Sequence, residues 1–171
     1  MDTLEPFMTK EEWGMLSQSV TNRSRVLEWG SGGSTIALAK MVHSVVSIEH
    51  TEHWAREVRK KGLKNVTVHH VTPNREPDGR EDGTYEQFEN YVRLPLRLGH
   101  KPGDFHVILI DGRARGACSE TAAKLAIPET MVFMHDYKAV LPPDRASYAN
   151  CLKWFTIENR VGSLVLLKRK M

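Results

Sequence analysis

Short apolar runs recur along the chain, each followed by a stretch with helical spacing. Arg25-Val26-Leu27-Glu28-Trp29, Val45 to Glu49, Val66 to Val71, Phe105 to Ile110 and Met131 to Met134 read as strands. Between them, Ile36 to Met41, Thr51 to Lys61, Tyr85 to Leu98 and Cys118 to Ala126 read as helices. Ahead of the first strand, Thr9-Lys10-Glu11-Glu12 has the form of a capping box. Trp13, Met15, Leu16 and Val20 follow at spacings that share a helical face, and residues 1–22 are assigned to this N-terminal helix. Pro95 is expected to kink or split the helix that contains it. Toward the end, Ser147 to Trp154 reads as a helix, and Phe155 to Ile157 and Leu164 to Leu167 as two last strands.

Alternating strands and helices predict an α/β fold: a doubly wound, mostly parallel seven-stranded sheet with helices on both faces. The 171 residues suit one domain, covering 1–171. Residues 72–84 hold two prolines, two glycines and six charged residues, and are expected to form an exposed loop, a candidate lid.

Composition narrows the function classes. Hydrophobic residues make up 40 % and charged residues 26 %, and the net charge is +3. No apolar run is long enough to span a bilayer. The basic residues are dispersed, without a stripe of interleaved aromatics, so there is no strong nucleic-acid signal. The two cysteines, Cys118 and Cys151, do not make a disulfide framework and are expected to be reduced. The acidic N-terminus has no signal-peptide pattern, which gives a cytoplasmic expectation.

In a doubly wound sheet, ligands bind beyond the carboxyl ends of the strands. That rule selects Glu28 to Thr35, Glu49-His50, Asp111 to Arg115 and His135 to Tyr137. The glycine-rich turn Gly30-Ser31-Gly32-Gly33 would let a ligand approach main-chain atoms. The third glycine of a dinucleotide fingerprint is absent, since Thr35 stands there, and no Lys follows as in a P-loop. The carboxylate of Glu28 just before the turn would repel a pyrophosphate and suits a cationic ligand. Glu49, at the tip of the next strand, can accept from both hydroxyls of a ribose.

Val26-Leu27-Glu28-Trp29-Gly30-Ser31-Gly32-Gly33-Ser34-Thr35, Ser47-Ile48-Glu49-His50 and Val107-Ile108-Leu109-Ile110-Asp111-Gly112 together resemble motifs of the class I, Rossmann-like S-adenosylmethionine-dependent methyltransferases. The resemblance spans about residues 9 to 168 and points to a small subgroup; Ser34 stands where the family's first motif has its third glycine. It implies S-adenosylmethionine as cofactor. Gly30, Ser31, Gly32 and Ser34 would line the methionine portion, with Glu28 near its amino group. Glu49 would bind the ribose and His50 would flank the adenine, with Trp54 as a further candidate. Asp111 would sit near the transferable methyl. Asp111, His135 and Asp136 are the candidate proton acceptors for methyl transfer to a small-molecule substrate. A divalent metal, as in catechol-type enzymes, is disfavoured by His135, so no metal site is assigned. Arg113 and Arg115 are candidates to hold a carboxylate or phosphate. A binding module without catalysis and a nicotinamide-dependent oxidoreductase are the competing readings, and self-association is left open.

Overall fold

A computed structural model of the chain describes residues 4–76 and 82–170. The elements run α1 (Lys10–Gln18), β1 (Arg25–Trp29), α2 (Gly33–Ala39), β2 (Ser44–Glu49), α3 (Glu52–Arg59), β3 (Val66–His70), α4 (Tyr85–Arg97), β4 (Val107–Ile110), α5 (Arg115–Leu125) and β5 (Met131–Met134). A 3-10 segment (Pro143–Lys153) and the strands β6 (Phe155–Val161) and β7 (Leu164–Arg169) complete them. The seven strands form one sheet in the order β3-β2-β1-β4-β5-β7-β6. The first five pair in parallel, and β7 runs antiparallel to both β5 and β6. The order reverses between β1 and β4, which opens a crevice at their carboxyl ends.

The strand sequences explain the two covered faces. Along β1, Leu27 and Trp29 enter one apolar cluster with Ile108, Ile110, Phe88 and Tyr91. Val26 enters another with Leu16 of α1, Leu38 of α2, Leu109 and Phe133. This is the period-two alternation of a pleated strand with both sides buried. All four residues of β4 are buried for the same reason.

Three sequence expectations are corrected. The segment from Ser147 is 3-10 rather than α-helical, beginning at Pro143. Its backbone crosses α5 so closely that a Cβ on Gly116 would collide with the Ser147 carbonyl. The irregularity in α4 lies at Phe88 (φ −126°, ψ 22°), whereas Pro95 is accommodated as a buried residue near the last turn. Finally, α5 starts at Arg115, three residues earlier than its apolar pattern suggested, because Ala114 takes the left-handed conformation (φ 49°) and turns the chain into the helix.

Candidate functional site

The turn after β1 is built around hydroxyl and carboxylate side chains. Glu28 is fully buried. Ser34 Oγ and Thr35 Oγ1 donate to its two oxygens at 2.5 Å each, and Ser47 Oγ donates at 2.9 Å. The Gly32 N–H in turn donates to Thr35 Oγ1 at 2.9 Å. Glu28 therefore ties β1, β2 and the start of α2 together from beneath. Burial pushes its carboxyl up to about 7, against the three hydroxyl hydrogen bonds that favour the charged form. Glu28 is not among the residues that line the cleft above, and it shapes the turn from below. Gly30 (φ +98°) is demanded by more than its conformation. A Cβ there would stand 2.8 Å from the Asp111 carbonyl oxygen, so the tips of β1 and β4 meet backbone to backbone.

Glu49 ends β2 and is nearly buried. Its Oε2 accepts from the Ser31 N–H and its Oε1 from the Thr51 N–H, both at 2.7 Å. His50 Nδ1 lies 3.0 Å from Oε1. Burial raises the Glu49 carboxyl, but the partners His50, Thr51 and Ser31 outweigh it and hold the group below its ordinary range. The carboxylate is thus held in its charged form and aimed, and Oε2, with one donor, keeps acceptor capacity for a further one. The His50 ring stands edge-on to Phe88 and Tyr91, with centroids 5.5 and 5.9 Å away.

The tips of β4 and β5 carry a line of alternating charge. Arg115 Nη1 lies 3.3 Å from Asp111 Oδ1, and Nη2 lies 2.8 Å from Asp136 Oδ2. Arg145, from the 3-10 segment, lies 3.5 Å from Asp136 Oδ1. On the other side, His135 Nδ1 is 2.9 Å from Asp111 Oδ1, and its Nε2 is 3.5 Å from Glu12 Oε2. Glu12 also closes the capping box of α1 with Thr9, and accepts from the Ser163 N–H at 2.6 Å. Burial pulls the His135 imidazole down, but the hydrogen bond and charge of Asp111, with Asp136, raise it overall. The ring lies buried between two carboxylates and is not among the residues that line the cleft. Asp136 adopts φ 60°, and with Ala114 it is one of two non-glycine residues with positive φ among the described residues, both bordering this site.

These tips face one cleft of ≈ 680 Å³. Gly30, Ser31, Gly32, Ser34, Glu49, His50, Asp111 and Asp136, all singled out in the sequence, line it together. Trp54 lines it as well. Asp111, His135 and Asp136 offer ligand atoms within 4.8 Å of one another, but the Arg115 guanidinium already pairs with both carboxylates. His69 and His70 on β3 take no part in the cleft lining.

Sequence reasoning missed two groups. Arg145 and Tyr148 reach the cleft because the 3-10 segment folds back over α5, and the Arg115 guanidinium stacks 5.3 Å from the Tyr148 ring centre. Leu4, Glu5 and Phe7 also line the cleft. Their strand of backbone passes so close to the start of α2 that a Cβ on Gly33 would overlap the Glu5 carbonyl. Nothing local in the sequence signals either contact. Of the candidate lid, residues 77–81 lie outside the described residues. Its described flanks are tied down: the Asn74 N–H donates to the Gln87 carbonyl, and Ser147 Oγ donates to Asp82. None of the described loop residues lines the cleft.

No family model and no curated protein matches the chain. Solved structures do. A methyltransferase-like protein of Silicibacter pomeroyi aligns at TM-score 0.74 and 22% identity, covering 98% of this chain and 89% of that one. The tRNA (m1A58) methyltransferase TrmI of Aquifex aeolicus aligns at TM-score 0.64 and 14% identity, covering 100% and 74%. A Streptococcus mutans protein solved in complex with SAH aligns at TM-score 0.62 and 13% identity, covering 95% and 100%. At such identities the likeness establishes architecture: the chain has the fold of the class I, Rossmann-like methyltransferases.

Proposed function

We propose that this protein binds S-adenosylmethionine and transfers its methyl group to a small-molecule acceptor. One observation carries the reading: the side-chain-poor turn Gly30–Gly33 and the ionised, backbone-oriented Glu49 open into the same cleft beyond the strand ends. Substituents are missing where a methionine chain would run, and a pair of acceptor oxygens stands where a ribose diol would lie. The solved neighbours support this reading, one of them in complex with SAH. When bound, the sulfonium supplies an electrophilic methyl for in-line attack. The protein's part is to hold the nucleoside at Glu49 and His50, keep the main chain of Gly30 and Gly32 against the methionine portion, and align an acceptor beside Asp111.

A compact acceptor fits a cleft of ≈ 680 Å³ and the dispersed basic residues. The test is calorimetry with SAH, the demethylated product. Micromolar binding is expected, and its loss in Gly30→Val, where the side chain would drive against the Asp111 and Gly112 backbone and displace the turn. Absence of any binding by wild-type protein refutes the proposal. A second reading, a binding module without turnover, draws on the closure of Asp111 and Asp136 by Arg115. It predicts tight SAH binding and no labelled product on any acceptor.

A further inference from the structure

We propose that Glu12 and His135 are positioning residues for the cofactor: buried behind the cleft, they fix the Asp111 carboxylate that meets the bound cofactor's positive charge. This rests on the cofactor reading above.

Asp111 lines the cleft, and its backbone adjoins the glycine turn, since a Cβ on Gly30 would stand 2.8 Å from its carbonyl oxygen. A methionine chain laid along Gly30 and Gly32 therefore runs beside it. That portion of S-adenosylmethionine carries a sulfonium and an ammonium. A carboxylate serves them best when it is already charged and aimed, because ordering it on binding costs free energy.

Two partners from different elements converge on Asp111 Oδ1. Arg115 Nη1 approaches at 3.3 Å from α5, and His135 Nδ1 at 2.9 Å from the tip of β5. Arg115 is shared with Asp136, which lies 2.8 Å from its Nη2. A ring holds a carboxylate only as firmly as the ring itself is held. On its far side, His135 Nε2 faces Glu12 Oε2 at 3.5 Å.

Glu12 is in turn fixed at both oxygens. The Thr9 N–H donates to Oε2 at 2.8 Å, and Ser163 donates to Oε1 from its N–H at 2.6 Å and from its Oγ at 2.8 Å. A line of contacts thus runs from the first turn of α1 and the β6–β7 turn to Asp111. Glu12 and His135 are buried, and neither is among the residues that line the cleft. An imidazole with a carboxylate at each nitrogen favours an N–H on both. Glu12 therefore anchors the ring and favours the form whose Nδ1 carries the proton that Asp111 accepts. The capping box of α1 and the Ser163 contacts are complete without an imidazole, so it is the third neighbour of Glu12 that ties it to the cleft.

The full chain is first titrated with SAH. Failure to bind refutes the cofactor reading and this inference with it. S-adenosylmethionine is then titrated, without an acceptor, into wild-type protein and variants. Asp111→Asn is expected to weaken binding about tenfold or more. Glu12→Gln and His135→Gln should each weaken it about three- to tenfold alone, but less than about twofold when added to Asp111→Asn, because their effect passes through that carboxylate. A merely structural role gives the same loss in both backgrounds. That result, or undiminished binding by Asp111→Asn or by His135→Gln, overturns the inference and leaves the cofactor reading standing. A last arm leaves Glu12 and His135 unchanged, so it decides the matter even where their variants fail to fold. With the His135 Cε1 resonance assigned in carbon-13-labelled protein, saturating S-adenosylmethionine is expected to shift it in wild type and not in Asp111→Asn. A resonance that stays in place in wild type, or moves equally in both proteins, overturns the proposal.

Discussion

Glu12 Oε2 stands 3.5 Å from His135 Nε2, and this contact joins the first helix to the tip of β5. A neutral imidazole has one N–H, whereas this ring faces a carboxylate at each nitrogen, so the charged form is the one the site is built for. The pair should give the protein a two-sided pH dependence. Glu12 is raised by burial but lowered further by the Thr9 and Ser163 hydrogen bonds and by His135, to about 2. A depressed carboxyl contributes stability that is complete above its unfolded value and is lost as pH falls from about 4.5 through about 2, on the order of 3 kcal/mol. His135 is raised, so its contribution is complete below about 6.5 and is lost as pH climbs through the higher folded value. Urea midpoints measured from pH 2 to pH 9 should show both declines. Glu12→Gln should flatten the acid limb and His135→Gln the alkaline one; unchanged limbs would exclude the pairing.

Glu28 predicts a separate effect. Its folded value is raised, so native stability is greatest below about 4.5 and falls as pH rises toward about 7, by roughly 3 kcal/mol. Glu28→Gln keeps the volume and removes the ionisation. It should abolish the decline between those two pH values while costing about 1 kcal/mol at acid pH through an imperfect fit to the three hydroxyls. Glu28→Ala should cost more, about 3 kcal/mol or above, because Ser34, Thr35 and Ser47 lose their shared acceptor. Denaturant titration at pH 4.5 and pH 8 separates these outcomes.

Glu49 should matter to the ligand more than to the fold. A charged acceptor contributes about 1.5–3 kcal/mol per hydrogen bond. Glu49→Gln is therefore expected to weaken SAH binding on the order of 10- to 100-fold, with circular dichroism unchanged. Calorimetry showing affinity within twofold of wild type would remove Glu49 from the ribose contact.

Gly33 holds the N-terminal segment against the start of α2. In Gly33→Ala the new methyl would overlap the Glu5 carbonyl, and the segment around Glu5 and Phe7 must move off the cleft edge. Cleavage by a nonspecific protease within residues 4–8 should accelerate several-fold, with the thermal midpoint shifting little. No change in cleavage rate would mean the helix start yields instead.

Much of the molecule could be read before folding. The inner parallel strands β2, β1, β4 and β5 were legible because each is a short apolar run buried on both sides, and Glu49 and Asp111 because each closes such a run at a carboxyl end. Glu28 was legible as a special acid, but its surroundings were not: sequence shows that a carboxylate precedes the turn, not that Ser34, Thr35 and Ser47 enclose it. The kink at Phe88 and the 3-10 form of Pro143–Lys153 have no signature in local preference. Glu12 announced itself as a cap residue. Its second contact, with His135, joins positions remote in the chain and leaves no local trace. Arg145 and Tyr148 were invisible for the same reason, since a segment must first fold back over α5 to bring them to the cleft.

The placement of β7 between β5 and β6 has a consequence for synthesis. Until residues 164–169 have left the ribosome, β5 has one unsatisfied flank, where Val132, Phe133 and Met134 await the partners Leu167, Leu166 and Val165. Until β7 is made, the growing chain thus carries a sticky, half-finished border. Chaperone demand should concentrate there, and any truncation that removes β7 should yield inclusion bodies rather than a smaller folded domain.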